Sequence, residues 1–216
     1  MTKKSSSFWK ENRSFIIFLG LMFVFRSAVA DWNDVPTGSM KPTIIEGDRI
    51  FVNKMAYDLR VPFTHVSMTK LSDPQRNDIV IFDSVAADKR LVKRVIGVPG
   101  DKVAMYKNRL TVNGQPLEYE LVKKDEKNTY FTEKLAGSSH TIRITNEQFP
   151  LDSFEEVIVP DGSYLVMGDN RNESADSRVY GFVPRNEIVG RSKNVAISFN
   201  YDNYLIPRSE RFLHTL

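Results

Sequence analysis

Arg90-Leu91-Val92-Lys93-Arg94-Val95-Ile96-Gly97-Val98-Pro99-Gly100-Asp101 is an apolar run broken by two cations and closed by a turn. The run is rich in Val and Ile and ends at Pro-Gly, so it reads as a β-strand. The same grammar recurs outward from it: β-like runs at 49–52, 78–82, 102–106, 109–112, 163–167 and 194–199. Turn signals at Pro99-Gly100-Asp101, Asn113-Gly114 and Asp161-Gly162 separate them, and 107–113 reads as a hairpin. From Asp48 onward few helical periodicities intervene, which predicts a mainly β domain of compact sheets or barrel type.

Strand alternation puts Lys93 on one face with Leu91 and Val95, opposite Val92 and Arg94. Two readings of Lys93 stand. It is an edge-strand lysine that guards against aggregation, or it is buried, loses its proton easily and serves as a general base.

Val35-Pro36-Thr37-Gly38-Ser39-Met40-Lys41-Pro42-Thr43 is a small-residue turn between prolines. It is only a turn, or a place where Gly38 lets backbone approach a ligand and Ser39 presents its hydroxyl. Met167-Gly168-Asp169-Asn170-Arg171-Asn172-Glu173-Ser174-Ala175-Asp176-Ser177-Arg178 is dense in small polar and charged residues. As a calcium loop it fails: counted from Asp169, the third residue is Arg171 and the sixth is Ser174 instead of glycine. Asn172-Glu173-Ser174 fits the glycosylation sequon, and the alternative is a rigid loop shaped by Asp/Arg pairs.

Composition removes other chemistries. With 216 residues, 41% of them apolar, the chain can build one main core with a smaller insert. A net charge of +3, dispersed, gives no nucleic-acid signature. The absence of cysteine excludes a thiol nucleophile, disulfides and Cys-based metal sites. His65, His140 and His214 lie far apart, so a Ser-His-Asp triad and a His-rich metal site are disfavoured, and lysine or a carboxylate is left as base.

Near the N-terminus, Lys3, Lys4, Lys10 and Arg13 precede an apolar run, 15–25, that Arg26 interrupts and Ala28, Val29 and Ala30 continue. One reading is a cleavable secretory signal ending at Ala30. The other is an uncleaved anchor between Trp9 and Trp32, with Arg26 snorkelling to the interface. Either way the basic flank stays cytoplasmic and residues after about 31 are exported. Residues 118–159, with Lys123-Lys124-Asp125-Glu126-Lys127 in their middle, read as an inserted, partly solvent-exposed subdomain or as a long solvated hairpin with no chemistry.

Taken in order, these stretches resemble the bacterial type I signal peptidases, family S26, from about Trp9 to Ser209 and most weakly across the insert. The resemblance implies an antiparallel β-sheet domain with an inserted β-rich subdomain and one N-terminal transmembrane helix. The domains expected are a cytoplasmic N-terminus at 1–13, an anchor at 14–32, a first catalytic part at 33–117, the insert at 118–159, and a second catalytic part at 160–216. It implies a membrane-bound serine endopeptidase that removes signal peptides from exported preproteins through a Ser/Lys dyad, cutting after small residues at the first and third positions before the bond.

Carried over by position, Ser39 is the nucleophile and Lys93 the base, with the Ser39 amide and the Thr37 hydroxyl as oxyanion donors. Ser174 hydrogen-bonds and orients the lysine, while Asp176 with Arg178, and Asp169 with Arg94, support the region. Val35, Pro36, Leu91 and Val92 bind substrate, which adds as a strand. Neither metal nor cofactor is implied. The partners implied are signal peptides, membrane lipid and a nearby secretion translocase, with no nucleic acid. The place implied is the cytoplasmic membrane, the catalytic domain on the exported side. Uncleaved anchoring is favoured because release would separate enzyme from substrate, although Ala28-Val29-Ala30 suits slow self-processing.

The chain departs from the family pattern at Thr37, where serine is common, at Asn172-Glu173, where Asp-Asn is frequent, and at Asn77, where glycine is frequent. Rival readings are a dedicated plasmid-transfer peptidase, a self-cleaving repressor, which needs no membrane segment, and a catalytically inactive membrane-tethered binding domain.

Overall fold

The computed structural model describes residues 4–216 except His65, Gln148 and Asp202, with side chains from Trp9 onward. Lys3 of the basic flank and His65 thus lie outside the described residues, and Lys4 is described in its backbone alone.

A nine-stranded antiparallel sheet carries the molecule. Its order is Val183–Pro184, Ser163–Met167, Lys89–Gly97, Ile79–Ser84, Ile188–Ser192, Asp48–Asn53, Val195–Asn200 and Ile206–Pro207, with Ala30–Asp34 also paired to Asp48–Asn53. Sequence pattern explains which strands lie where. Asp48–Asn53 alternates strictly between buried and exposed residues, the signature of one covered face. Ile79–Ser84 is apolar at successive positions because both of its faces are covered. Ile79 and Ile81 enter a core with Val35, Met40, Ile44 and Ile50, whereas Val80 and Phe82 enter another with Tyr57, Val95 and Val166. Each fully buried aliphatic side chain contributes about 1.5–3 kcal/mol, so the sheet is held from both sides.

The expected hairpin over 107–113 is a meander with two tight turns. Lys107 and Asn108 take positive φ between Lys102–Tyr106 and Arg109–Val112, and Asn113-Gly114 does the same before Gln115–Pro116. Phe154–Ile158 completes this four-stranded sheet by pairing with Lys102–Tyr106. Glu118–Lys124, Asn128–Leu135 and Ser138–Thr145 form a separate three-stranded sheet. It is not merely a solvated hairpin, since Glu133, Leu135, His140 and Ile142 are buried.

The N-terminal segment is an α-helix, Lys4–Ala28, followed by the strand Ala30–Asp34. The helix stops short of Trp32, because the chain there pairs with Asp48–Asn53, Trp32 opposite Phe51. Among the described residues no helix is long and apolar enough to cross a membrane. The reason lies in the charges: Arg13 and Arg26 bound an apolar stretch of about 11 residues, roughly 16 Å of helix, against about 30 Å of hydrocarbon.

Candidate active site

Lys93 sits where its strand changes character. Ser163–Met167 pairs with Arg94, Val95 and Gly97, and Ile79–Ser84 pairs along the other side from Lys89 to Arg94. The segment from Lys89 to Lys93 therefore has a ladder on one side only. Ala30–Asp34 is likewise paired on one side, to Asp48–Asn53. Between these open edges runs a cleft of about 410 Å³, whose lining includes Val35, Pro36, Thr37, Ser39, Leu91, Val92 and Lys93.

Both sequence readings of Lys93 thus hold a part of the geometry: its strand half is an edge, yet its side chain is only 2% exposed. Lys93 Nζ donates to Ser39 Oγ at 2.7 Å. Burial lowers the Lys93 ammonium from its ordinary 10.5 to about 8, outweighing the opposing pull of Asp176 and Asp169. A neutral amine beside a hydroxyl is what proton removal from serine requires. Among the described residues neither the Ser39 amide nor the exposed Thr37 hydroxyl makes a hydrogen bond, so both donors are free.

The loop after Met167 clamps the Ser39 backbone from behind. Asn170 N donates to the Ser39 carbonyl at 3.1 Å, and Asn170 Nδ2 donates to the Gly38 carbonyl at 2.9 Å. Gly168 makes the approach possible: a Cβ there would stand 2.3 Å from Ser174 Oγ and 2.4 Å from the Ser39 carbonyl oxygen. Gly168 N donates to Asp176 Oδ2, which Arg178 holds at 2.8 Å. Arg178 also donates to the carbonyls of Leu151 and Arg171. Arg94 grips Asp169 with two bonds of 2.8 and 2.7 Å, and Thr43 Oγ1 donates to the same carboxylate at 2.5 Å. Despite complete burial, Asp169 stays below the usual carboxylate range because Arg94 faces it.

One expectation is not met. Among the described residues Ser174 Oγ is buried without a hydrogen-bond partner, and Lys93 Nζ donates to Ser39 instead. The hydroxyl lies against Gly168. The sequon is also closed, since Asn172 is 5% exposed. Asn77 explains its own departure from glycine: φ is +76°, a region asparagine tolerates, and both its carbonyl oxygens accept from Arg94 Nη1.

The profile of the family described as signal peptidase, peptidase S26, matches residues 9–197. The chain belongs to that family. The signal peptidase I of Pseudomonas aeruginosa is 36% identical over 203 residues, 87% of this chain and 72% of its own. That of Bacillus amyloliquefaciens is 33% identical over 199 residues, covering 92% and 90%. A signal peptidase I of Enterococcus faecalis with a crystal structure is 30% identical over 56% of this chain and 97% of its own, at a TM-score of 0.36, too loose to transfer geometry.

As a signal peptidase, the protein is a serine protease that removes signal peptides. Sequence reading missed Gly168, Asn170 and Thr43 in this site. Gly168 and Asn170 fall within the polar stretch 167–178, but Asn170 bonds, and Gly168 closely approaches, backbone carbonyls more than a hundred residues away, which no local pattern encodes. Glu133, fully buried between Arg171 at 2.6 Å and Tyr119 at 2.7 Å, was also missed. Its strand alternation gave no hint that a charged insert would bury a carboxylate.

Proposed function

We propose that Ser39 and Lys93 form a catalytic dyad that cuts preproteins by acyl transfer. The observation that carries the reading is the 2.7 Å contact between Lys93 Nζ and Ser39 Oγ, with the amine lowered to about 8 by burial. Lys93 takes the Ser39 proton, Oγ attacks the scissile carbonyl, and Lys93 returns the proton to the leaving amine. Water, activated by the same amine, then hydrolyses the ester. The Ser39 amide and the Thr37 hydroxyl stabilise the oxyanion, threonine keeping the donor with a stiffer χ1 than serine. Once Oγ is esterified it is a poorer acceptor, and the unpartnered Ser174 hydroxyl is the group we assign to orient Lys93 at that stage.

Substrate adds as a strand between the open edges, with Val35, Pro36, Leu91 and Val92 shaping pockets for small residues at the first and third positions before the cut. Asp169 with Arg94, and Asp176 with Arg178, keep the loop rigid beneath the dyad.

We further propose that residues 1–13 are cytoplasmic and that the helix inserts in the cytoplasmic membrane, leaving the catalytic domain on the exported side near the translocase. Arg13 and Arg26 lengthen the short apolar stretch by snorkelling. Arg26 stacks on Trp32 at 4.5 Å and bonds Asp31 at 2.8 Å, an interfacial arrangement that ties the end of the helix to the strand leading to Ser39.

Assay of Ser39→Ala and Lys93→Ala on a preprotein tests the chemistry. Cleavage by either variant at the unaltered rate overturns the dyad. Flotation of the full chain with lipid vesicles tests the anchor; recovery in the soluble fraction overturns it.

A further inference from the structure

We propose that Glu173 reads the charge of the substrate just after the cut, favouring basic and disfavouring acidic residues there. The inference rests on the strand-addition reading above.

Ser39 and Lys93 line the cleft between the open edges, and so do Glu173 and Ala175. Glu173 is tied to the back of the nucleophile: Asn170 Nδ2 donates both to Glu173 Oε2 and to the Gly38 carbonyl, each at 2.9 Å. The carboxylate therefore enters the cleft from the loop that holds the Gly38–Ser39 backbone, and from neither open strand. The signal peptide fills the groove between those strands, so the departing polypeptide is the part that passes Glu173.

Its charge is not cancelled on the substrate side. Glu173 accepts from Arg143 Nη2 at 2.5 Å, but its side chain is 57% exposed and that of Arg143 only 14%. The guanidinium is tucked behind and the anion faces the cleft. Other charges along the lining stand apart: Asp34 is paired with Arg49, Arg90 with Asp83, and Lys89 lies four residues, about 13 Å of strand, from Lys93. An exposed carboxylate of this kind discriminates by a few-fold.

The test uses the full chain and three peptides that are identical up to the cut and carry Lys, Gln or Glu in the two positions after it. The wild type is expected to show a kcat/KM about fivefold higher for the Lys than for the Glu peptide, shrinking at high salt. Glu173→Gln, which keeps an acceptor for Arg143 and Asn170, is expected to bring that ratio close to one. Arg143→Gln, which removes the tether and leaves the anion unopposed, is expected to raise it.

A ratio unchanged in Glu173→Gln overturns the inference, as does a parallel fall for all three peptides in both variants, the mark of a purely structural tether. Failure of the dyad reading is separate, because it is seen as cleavage surviving in Ser39→Ala whatever the peptide charge.

Discussion

Ser39 Oγ accepts a hydrogen bond from Lys93 Nζ at 2.7 Å, across 54 residues of sequence, and the acceptor's own carbonyl is held by Asn170 N at 3.1 Å. Ser39, the proposed nucleophile, is thus fixed at its side chain by one strand and at its backbone by a distant loop.

The pH dependence follows from the amine. Lys93 acts as base only when neutral, and its pKa is lowered to about 8. Activity is expected to fall about tenfold per pH unit below that value and to level off above it. A pH profile of kcat/KM that stays flat well below 8 contradicts the assignment.

The same burial costs stability. Lys93 goes from 10.5 when unfolded to about 8 when folded, so between those values the unfolded chain binds more protons and Lys93 makes stability rise with pH. Below about 8 the charged amine destabilises the fold by roughly 3 kcal/mol. Lys93→Met is expected to be inactive yet more stable at neutral pH, with the gain vanishing near pH 10.5. Urea unfolding at both pH values checks this.

Gly168→Ala places a methyl group within 2.3–2.6 Å of Ser174 and the Ser39 carbonyl. Backbone cannot yield there without moving the nucleophile, so a loss of about 2 kcal/mol or more and a severe loss of cleavage are expected. Thermal unfolding together with preprotein assays would reveal a tolerated alanine.

Arg94→Leu strips the buried Asp169 carboxylate of its bidentate partner. A destabilisation of about 3–5 kcal/mol is expected from the uncompensated charge. In the double variant Arg94→Leu, Asp169→Leu much of that loss should return, measured by denaturant midpoints.

Much of the molecule is legible in the chain itself. The runs 102–106, 109–112 and 163–167 coincide with strands residue for residue, because β-branched residues bounded by Pro-Gly and Asn-Gly leave few alternatives. The absence of cysteine and the scarcity of histidine by themselves remove rival chemistries, and the ordered motifs point to the family.

Other features depend on three dimensions. Whether Lys93 lies exposed at an edge or buried turned on the partial pairing of its strand, since Ser163–Met167 reaches only as far as Arg94. Alternation assigns a face to a residue but not what covers that face. The Asn170 clamp, the close approach at Gly168 and the unpartnered Ser174 hydroxyl depend on backbone atoms brought together from opposite ends of the chain. Sequence patterns record side-chain type and period; hydrogen bonds to distant carbonyls, and the burial that lets a lysine shed its proton, exist only once the sheet has closed around them.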